Sequence, residues 1–244
     1  MADLARARRQ ALEENRRRKG HVPEDLYAPW NRAERWLQDD RARHAAEMLH
    51  RQGIFPDSTD RCLEIGVGSG GWLPTLLSWG VYEPSLHGLE IDPERVSLAR
   101  RRFPVSHLQV GDGGKLPFVD GCFHIVVLST VMTSILDPEV RRSVASEVQR
   151  VLVPGGALIY YDFAVNNPRN NKVRAVDRDE LAALFPLLRG EVRPTTLAPP
   201  LLRFLAPWGW LWVEAAAALP RLRTHLLAVL RKDARELPVA QLPD

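Results

Sequence analysis

From Arg61 to Leu230 the chain alternates short apolar runs with segments whose apolar residues recur every three or four positions. The runs Cys62–Ile65, Leu86–Ile91, His107–Val110, Ile125–Leu128, Ala157–Asp162, Glu191–Leu197 and Thr224–Leu230 have strand length and lack the helical period. Between them the helix starts are chemically explicit. Asp92 precedes Pro93 and Asp137 precedes Pro138, so a carboxylate caps while a ring fills the first helical position. Val140, Val144, Val148 and Val151 give the second of these helices an apolar stripe, and Pro154-Gly155-Gly156 is expected to stop it. Asp177 with Glu180 opens another helix ending by Pro186, and Pro199–Leu222 is proline-punctuated but mostly helical in pattern. Such alternation predicts βαβ units, hence an α/β fold on a parallel sheet.

Ahead of this region, residues 2–19 are rich in Ala, Leu, Glu and Arg with little apolar face, which predicts an exposed or partner-dependent helix. The loop HVPEDLYAPW brings Tyr27 and Trp30 close together. Asn31 then has N-cap chemistry with Glu34 three residues on, and Ala33, Trp36, Leu37, Ala45, Met48 and Leu49 form a stripe ending at Gly53.

A chain of 244 residues fits one α/β domain with a modest extension. The formal charge of +3 is concentrated near the start, in Arg6, Arg8, Arg9, Arg16, Arg17, Arg18 and Lys19. Interleaved Asp3, Glu13 and Glu14 make that run a solvated helix face, and no nucleic-acid partner is expected. Cys62 and Cys122 belong to no disulfide framework and no metal-ligand spacing, so no metal is expected. The start lacks the apolar core of a signal peptide. The longest apolar run, Trp208–Leu219, contains Glu214 and is short of the ~20 residues that span a bilayer. A cytoplasmic protein without a transmembrane segment is the expectation, and nothing here signals an oligomeric state.

The first strand runs into LEIGVGSGG, where Gly66, Gly68 and Gly70 let the backbone turn tightly and approach a ligand at a helix N-terminus. With Gly71 the spacing also satisfies the fingerprint of a nicotinamide dinucleotide site. Charge separates the two readings. Glu64, two residues before Gly66, repels a pyrophosphate but suits a cofactor carrying an ammonium and a sulfonium; its bland alternative is an acid capping a neighbouring helix. The second strand ends GLEIDP, where Glu90 or Asp92 can accept both hydroxyls of a ribose. Because Asp92 is explained as the cap before Pro93, Glu90 is left for the sugar. The third strand ends QVGDGGKLPF, where Asp112 can accept from an adenine amino group and the Gly113 NH can donate to the ring, unless Asp112 is simply a turn residue.

These motifs resemble those of the class I S-adenosylmethionine-dependent methyltransferases over roughly residues 60–165: LEIGVGSG looks like the glycine motif, GLEIDP the ribose motif, GDGGKLPF the adenine motif, and EVQRVLVPGGALIYYD a late helix-turn-strand signature. The resemblance implies a Rossmann-like, mostly parallel seven-stranded sheet with helices on both faces, an N-terminal helical extension or lid over residues 1–53, and a methyltransferase domain over 54–244. It implies that Glu64, Gly66, Gly68, Gly70, Glu90, Ile91, Asp112 and Gly113 line the cofactor, with Ser129 and Thr130 near its methionine end. One departure is His124, where many relatives carry Asp, at a strand start away from the ligand edge. LSTVMTSILD, YYDFAVNNPRNNKVRAV and TLAPPLLRFL are similar to a type 11-like bacterial subgroup associated with glycan or natural-product pathways.

The reading for function is methyl transfer from S-adenosylmethionine to a small-molecule or glycan acceptor, at a hydroxyl oxygen. Such a displacement is driven mainly by positioning and desolvation. Asp162, at the end of the fifth strand, is the candidate to orient or deprotonate the acceptor, its alternative being a loop cap or a partner of Asn166. His44, His107 and His124 are weaker candidates. Tyr27 and Trp30, met by Asn166, Asn167 and Arg169 from the other side, are expected to cover the open edge and hold the acceptor. A nicotinamide-dependent oxidoreductase and a non-catalytic binding protein of the same fold are the other readings.

Overall fold

The computed structural model describes residues 28, 30–166 and 172–234. Tyr27, Asn167 and Arg169, and the helix expected over 2–19, lie outside the described residues. The strands are β1 (Cys62–Ile65), β2 (Leu86–Glu90), β3 (His107–Val110), β4 (Phe123–Ser129), β5 (Leu152–Phe163), β6 (Leu188–Leu197) and β7 (Arg223–Lys232). They form one seven-stranded sheet in the order β3-β2-β1-β4-β5-β7-β6. Neighbours from β3 to β5 run parallel, whereas β7 lies antiparallel between β5 and β6.

The helices are α1 (Arg32–Arg51), α2 (Leu73–Ser78), α3 (Pro93–Arg102), α4 (Pro138–Val151), α5 (Arg178–Leu184), α6 (Pro199–Leu205) and α7 (Trp210–Ala217). Their starts follow the capping chemistry. Asn31, Asp92, Asp137 and Asp177 accept from the backbone NH groups of Glu34, Glu94, Glu139 and Glu180 at 3.1, 2.9, 2.8 and 2.8 Å. Cys62, Ile125, Val127, Ile159 and Tyr161 pack with Met48, Leu49, Leu73, Leu76, Val96 and Ala99 of α1, α2 and α3. The alternate residues Leu63, Val126, Leu158 and Tyr160 pack on the other face with Val144, Val148 and Val151 of α4 and Leu181 and Leu184 of α5. A sheet buried on both faces accounts for the continuous apolar runs.

Two expectations are corrected. Pro154-Gly155-Gly156 does not stop a helix: α4 ends at Val151, Leu152 is already extended, and the triplet lies inside β5, where the register against β4 shifts between Phe123 and Ile125. Gly155, at φ 82°, absorbs the irregularity. Ile91 lies one residue beyond β2 rather than ending it.

Helix α1 serves two layers. Its second half, through Ala45, Met48 and Leu49, is part of the sheet core, while Ala33, Trp36 and Leu37 pack on Leu197, Leu202, Val213 and Trp210. That second cluster forms a cap at the end of β6, where α6 and α7 rise before the chain returns along β7. The Trp36 indole NH donates to Glu214 at 3.1 Å and fixes α1 to α7.

Candidate functional site

The sheet order reverses between β1 and β4: from β1 the chain proceeds outward to β2 and β3, then returns to place β4 on the other side of β1. At such a switch point the connections leave the carboxyl ends of the two strands in opposite directions and open a crevice. Gly66 to Gly71 line one side of it, Ser129 and Thr130 the other.

The glycine loop is held by its own backbone. Gly66 and Val67 donate to the carbonyl of Leu89 at 2.7 and 3.1 Å, which ties the end of β1 to β2. Gly66, Gly68 and Gly70 sit at φ 75°, 58° and 120°. A side chain at Gly68 would strike the Arg95 guanidinium, and one at Gly71 the Glu64 carboxylate. The left-handed backbone requires glycine at position 68, whereas the Arg95 guanidinium is the end of a side chain that can move aside.

Glu64 is buried, and its Oε2 accepts from the NH of Trp72, at the start of α2, at 2.8 Å. The helix-cap alternative thus describes one of its oxygens, while Oε1 lies against Gly71. Burial raises the carboxyl to about 8, opposed by the Trp72 hydrogen bond and by the nearby Arg41 charge. Glu90, also buried, accepts from the NH groups of Gly68, Ile91 and Asp92 at 2.9, 2.9 and 3.1 Å, with Arg95 3.6 Å away. It joins the glycine loop to the end of β2, while Asp92 is occupied in capping α3. Asp112, just beyond β3, accepts from the Gly114 NH at 2.8 Å, the turn geometry that was its bland alternative, and remains half-buried. Gly113 beside it backs onto Ile65 of β1.

Across the crevice, Thr130 adopts φ 57°, its NH donating to the Tyr161 carbonyl at 2.8 Å and its hydroxyl to the Ser129 carbonyl at 2.7 Å. A β-branched residue held left-handed is strained, a condition that clusters at functional sites.

Asp162 is buried with its acceptor positions engaged. Its oxygens accept from the Thr133 NH at 3.1 Å, the Thr133 hydroxyl at 2.6 Å and the Phe163 NH at 2.9 Å. Burial raises its carboxyl to about 6, although these hydrogen bonds pull the other way. Asp162 therefore anchors the turn at Met132–Ser134 against β5 rather than presenting a free base. Asn166 does not partner it; the Asn166 amide oxygen accepts from the Ala175 NH at 2.7 Å. Trp30 is 73% exposed and does not close over the crevice. His124 accepts from the Arg61 NH at the opposite end of β4, and His107 starts β3, so both are far from the ligand edge.

The structure adds residues that no motif marked. Arg41, from the middle of α1, lies over the rings of Trp72 and Tyr161 at 5.1 and 5.6 Å. His225 stacks on Tyr161 at 4.8 Å, and burial, reinforced by the Arg41 charge, lowers its imidazole to about 3. Arg41 is one of several arginines on a polar-looking helix, and only the packing of α1 against β7 and β6, which brings it to Trp72 and Tyr161, distinguishes it. Trp72 was visible as an apolar residue after the glycines, but its packing role was not.

A glycine cradle without room for side chains, flanked by the buried carboxylates Glu64 and Glu90, fits an adenosyl cofactor with a cationic end. Among the described residues no group of three or more His, Cys, Asp or Glu is arranged to hold a metal, and no helix is long and apolar enough to cross a membrane.

Residues 62–156 match a family described as a methyltransferase domain. The chain is 34% identical over 134 residues to phthiotriol/phenolphthiotriol dimycocerosates methyltransferase 1 of Mycobacterium ulcerans, covering 54% of this chain and 48% of that protein. It is 32% identical over 128 residues to the fatty-acid O-methyltransferase of Mycolicibacterium smegmatis, covering 51% and 45%. The chain thus spans about half the length of these curated relatives. Among solved structures, a SAM-dependent methyltransferase from Methanosarcina mazei is similar at TM-score 0.55 and 18% identity, covering 74% of this chain and 96% of that one. This last likeness is one of fold.

Proposed function

We propose that this chain, which belongs to the class I S-adenosylmethionine-dependent methyltransferase family, transfers a methyl group from S-adenosylmethionine to an oxygen of a small lipid-like or polyketide-derived acceptor. The observation that carries the reading is the glycine loop at the topological switch, where Gly68 holds left-handed backbone and two buried carboxylates flank it. A pyrophosphate brought to Glu64 would keep that carboxyl protonated and forgo the ion pair an ammonium makes there, which counts against the nicotinamide alternative. When bound, the cofactor supplies a methyl group on a sulfonium whose departure as a thioether is neutral.

The protein's own contribution is placement and exclusion of water. Glu90 fixes the loop and offers a carboxylate at the end of β2, the position suited to ribose hydroxyls. Asp112 and Gly113 border the adenine side, and Ser129 with strained Thr130 forms the wall facing the reacting end. Asp162 acts as a positioning residue, since it holds the Met132–Ser134 turn beside that wall. The acceptor class is supported by relatives whose names specify phthiotriol dimycocerosates and a fatty acid, and by the apolar cap of α6 and α7, which exposes Phe204, Trp208, Leu211 and Trp212. This favours an apolar acceptor over a glycan. Because α1 is built into the core, the cover over the reacting end is this cap.

Calorimetry with S-adenosylmethionine, S-adenosylhomocysteine and NADH tests the cofactor, with micromolar binding of the adenosyl compounds alone as the expected result. Binding of NADH with no response to either adenosyl compound overturns it. A turnover screen with labelled cofactor against long-chain acids, phenols, polyketides and sugar nucleotides, read by mass spectrometry, tests the acceptor.

A further inference from the structure

Among the described residues Arg41 forms neither a hydrogen bond nor an ion pair; it lies over the faces of Trp72 and Tyr161. The guanidiniums of Arg141 and Arg150, in contrast, are engaged by acceptors. Arg141 donates to the Ile135 carbonyl, Glu180 and the Arg174 carbonyl at 2.6, 2.7 and 2.7 Å. Arg150 is shared among Glu147, Asp120 and the carbonyls of Phe118 and Leu116. The carboxylates closest to Arg41 along the chain and across the crevice are committed elsewhere: Asp40 to Arg43 at 3.1 Å and His44 at 3.2 Å, and Glu64 to the Trp72 NH at 2.8 Å. The two aromatic faces hold the half-buried cation in place. Its five donors meet no protein acceptor, and they form a planar fork that matches a carboxylate.

Position gives the fork its meaning. Trp72 directly follows the glycine loop, and Tyr161 lies near the end of β5 with its carbonyl bound to Thr130. Arg41 therefore stands beside the crevice, close enough to Glu64 to favour its ionised form. An acid and an unpaired guanidinium flanking one loop complement an α-amino acid zwitterion.

We propose that Arg41 is a carboxylate-binding residue of this site, taking either the α-carboxylate of the cofactor's methionine half or the carboxylate of a fatty-acid-like acceptor. The proposal rests on the function argued above. In the second case the acceptor oxygen is already anionic, so the C–O bond of a methyl ester forms as the S–CH3 bond breaks, with no proton to remove. A site whose Asp162 carboxylate is fully hydrogen-bonded and whose His225 is a very weak base is compatible with such an acceptor.

The test is calorimetry on the full chain with S-adenosylhomocysteine, with 5′-methylthioadenosine, which keeps the nucleoside and thioether but lacks the carboxylate, and with decanoate added in the presence of S-adenosylhomocysteine. Wild type is compared with Arg41→Met, which keeps the stem on the aromatic rings, and with Arg41→Lys, and thermal melts confirm that each variant is folded. If the cofactor is the source, Arg41→Met weakens S-adenosylhomocysteine by about 10- to 100-fold, the worth of charge-assisted hydrogen bonds, and leaves 5′-methylthioadenosine unchanged. Arg41→Lys then recovers part of the loss. If the acceptor is the source, both nucleosides bind as to wild type while decanoate binding is lost. The proposal is overturned if 5′-methylthioadenosine weakens as much as S-adenosylhomocysteine. It is equally overturned if S-adenosylhomocysteine is unaffected and decanoate either fails to bind wild type or binds the variant equally. Wild type that ignores S-adenosylhomocysteine altogether fails the parent reading instead.

Discussion

Binding of S-adenosylhomocysteine should release a proton, and Glu64 should be its source. Buried beneath the glycine loop, Glu64 holds its proton to about pH 8. A cofactor ammonium brought beside it favours the ionised form and draws the carboxyl back towards its ordinary range near 4.3. At pH 7 a group of pKa about 8 is about 0.9 protonated before binding, so about 0.9 proton should leave on binding, falling to about one half at pH 8. Calorimetry in buffers of different ionisation enthalpy reads this number as the slope of observed enthalpy against buffer enthalpy. Apparent affinity should rise nearly tenfold from pH 6 to pH 7, equivalent to about 1.4 kcal/mol. Glu64→Gln should abolish the difference and bind more weakly. Stability carries the same signature in the free protein. Because the folded pKa lies above the unfolded one, the contribution is full below about pH 4 and is lost as pH rises towards 8, so melting temperature should decline across that window in wild type and less steeply in Glu64→Gln. A buffer-independent enthalpy at pH 7, or the same slope in Glu64→Gln, would refute the idea that this carboxylate faces the cofactor's cation.

Three further outcomes are expected. Gly68→Leu should lower cofactor affinity by at least tenfold while the protein stays folded, since the left-handed backbone alone costs about 1–2 kcal/mol and the side chain displaces Arg95; calorimetry and a thermal melt read the two effects, and unchanged affinity removes the loop from the site. Asp162→Asn leaves the donors of Thr133 and Phe163 competing for one oxygen, so stability should fall by about 1–3 kcal/mol and turnover should fall with little change in cofactor affinity; a full-rate, fully stable variant discards the anchoring role. Deleting residues 1–27 should preserve the fold and cofactor binding but slow methyl transfer to a screened acceptor, whereas a full rate would assign that segment to another partner.

Local chemistry made much of this protein legible from its sequence. Asp-Pro and Asn-x-x-Glu patterns mark helix starts because capping is settled within four residues, and the strands of a sheet buried on both faces stand out as apolar runs. The glycine motif and the acids after β1 and β2 are readable for a related reason: they sit at strand ends, so their position along the chain fixes their place at the ligand edge. The Pro154-Gly155-Gly156 triplet misled because its backbone permits a turn as readily as an irregular strand, and only pairing with β4 and β7 decides between them. What each acid does there was beyond the sequence. Asp162 was placed at the correct edge, but its hydrogen bonds come from Thr133, 29 residues away, so whether it is a base or an anchor depends on how the turn after β4 folds back. Arg41 shows the limit most clearly. Its neighbours Trp72 and Tyr161 are brought to it by the packing of α1 on the sheet, and a guanidinium without a protein acceptor becomes significant only once that packing has set it beside the crevice.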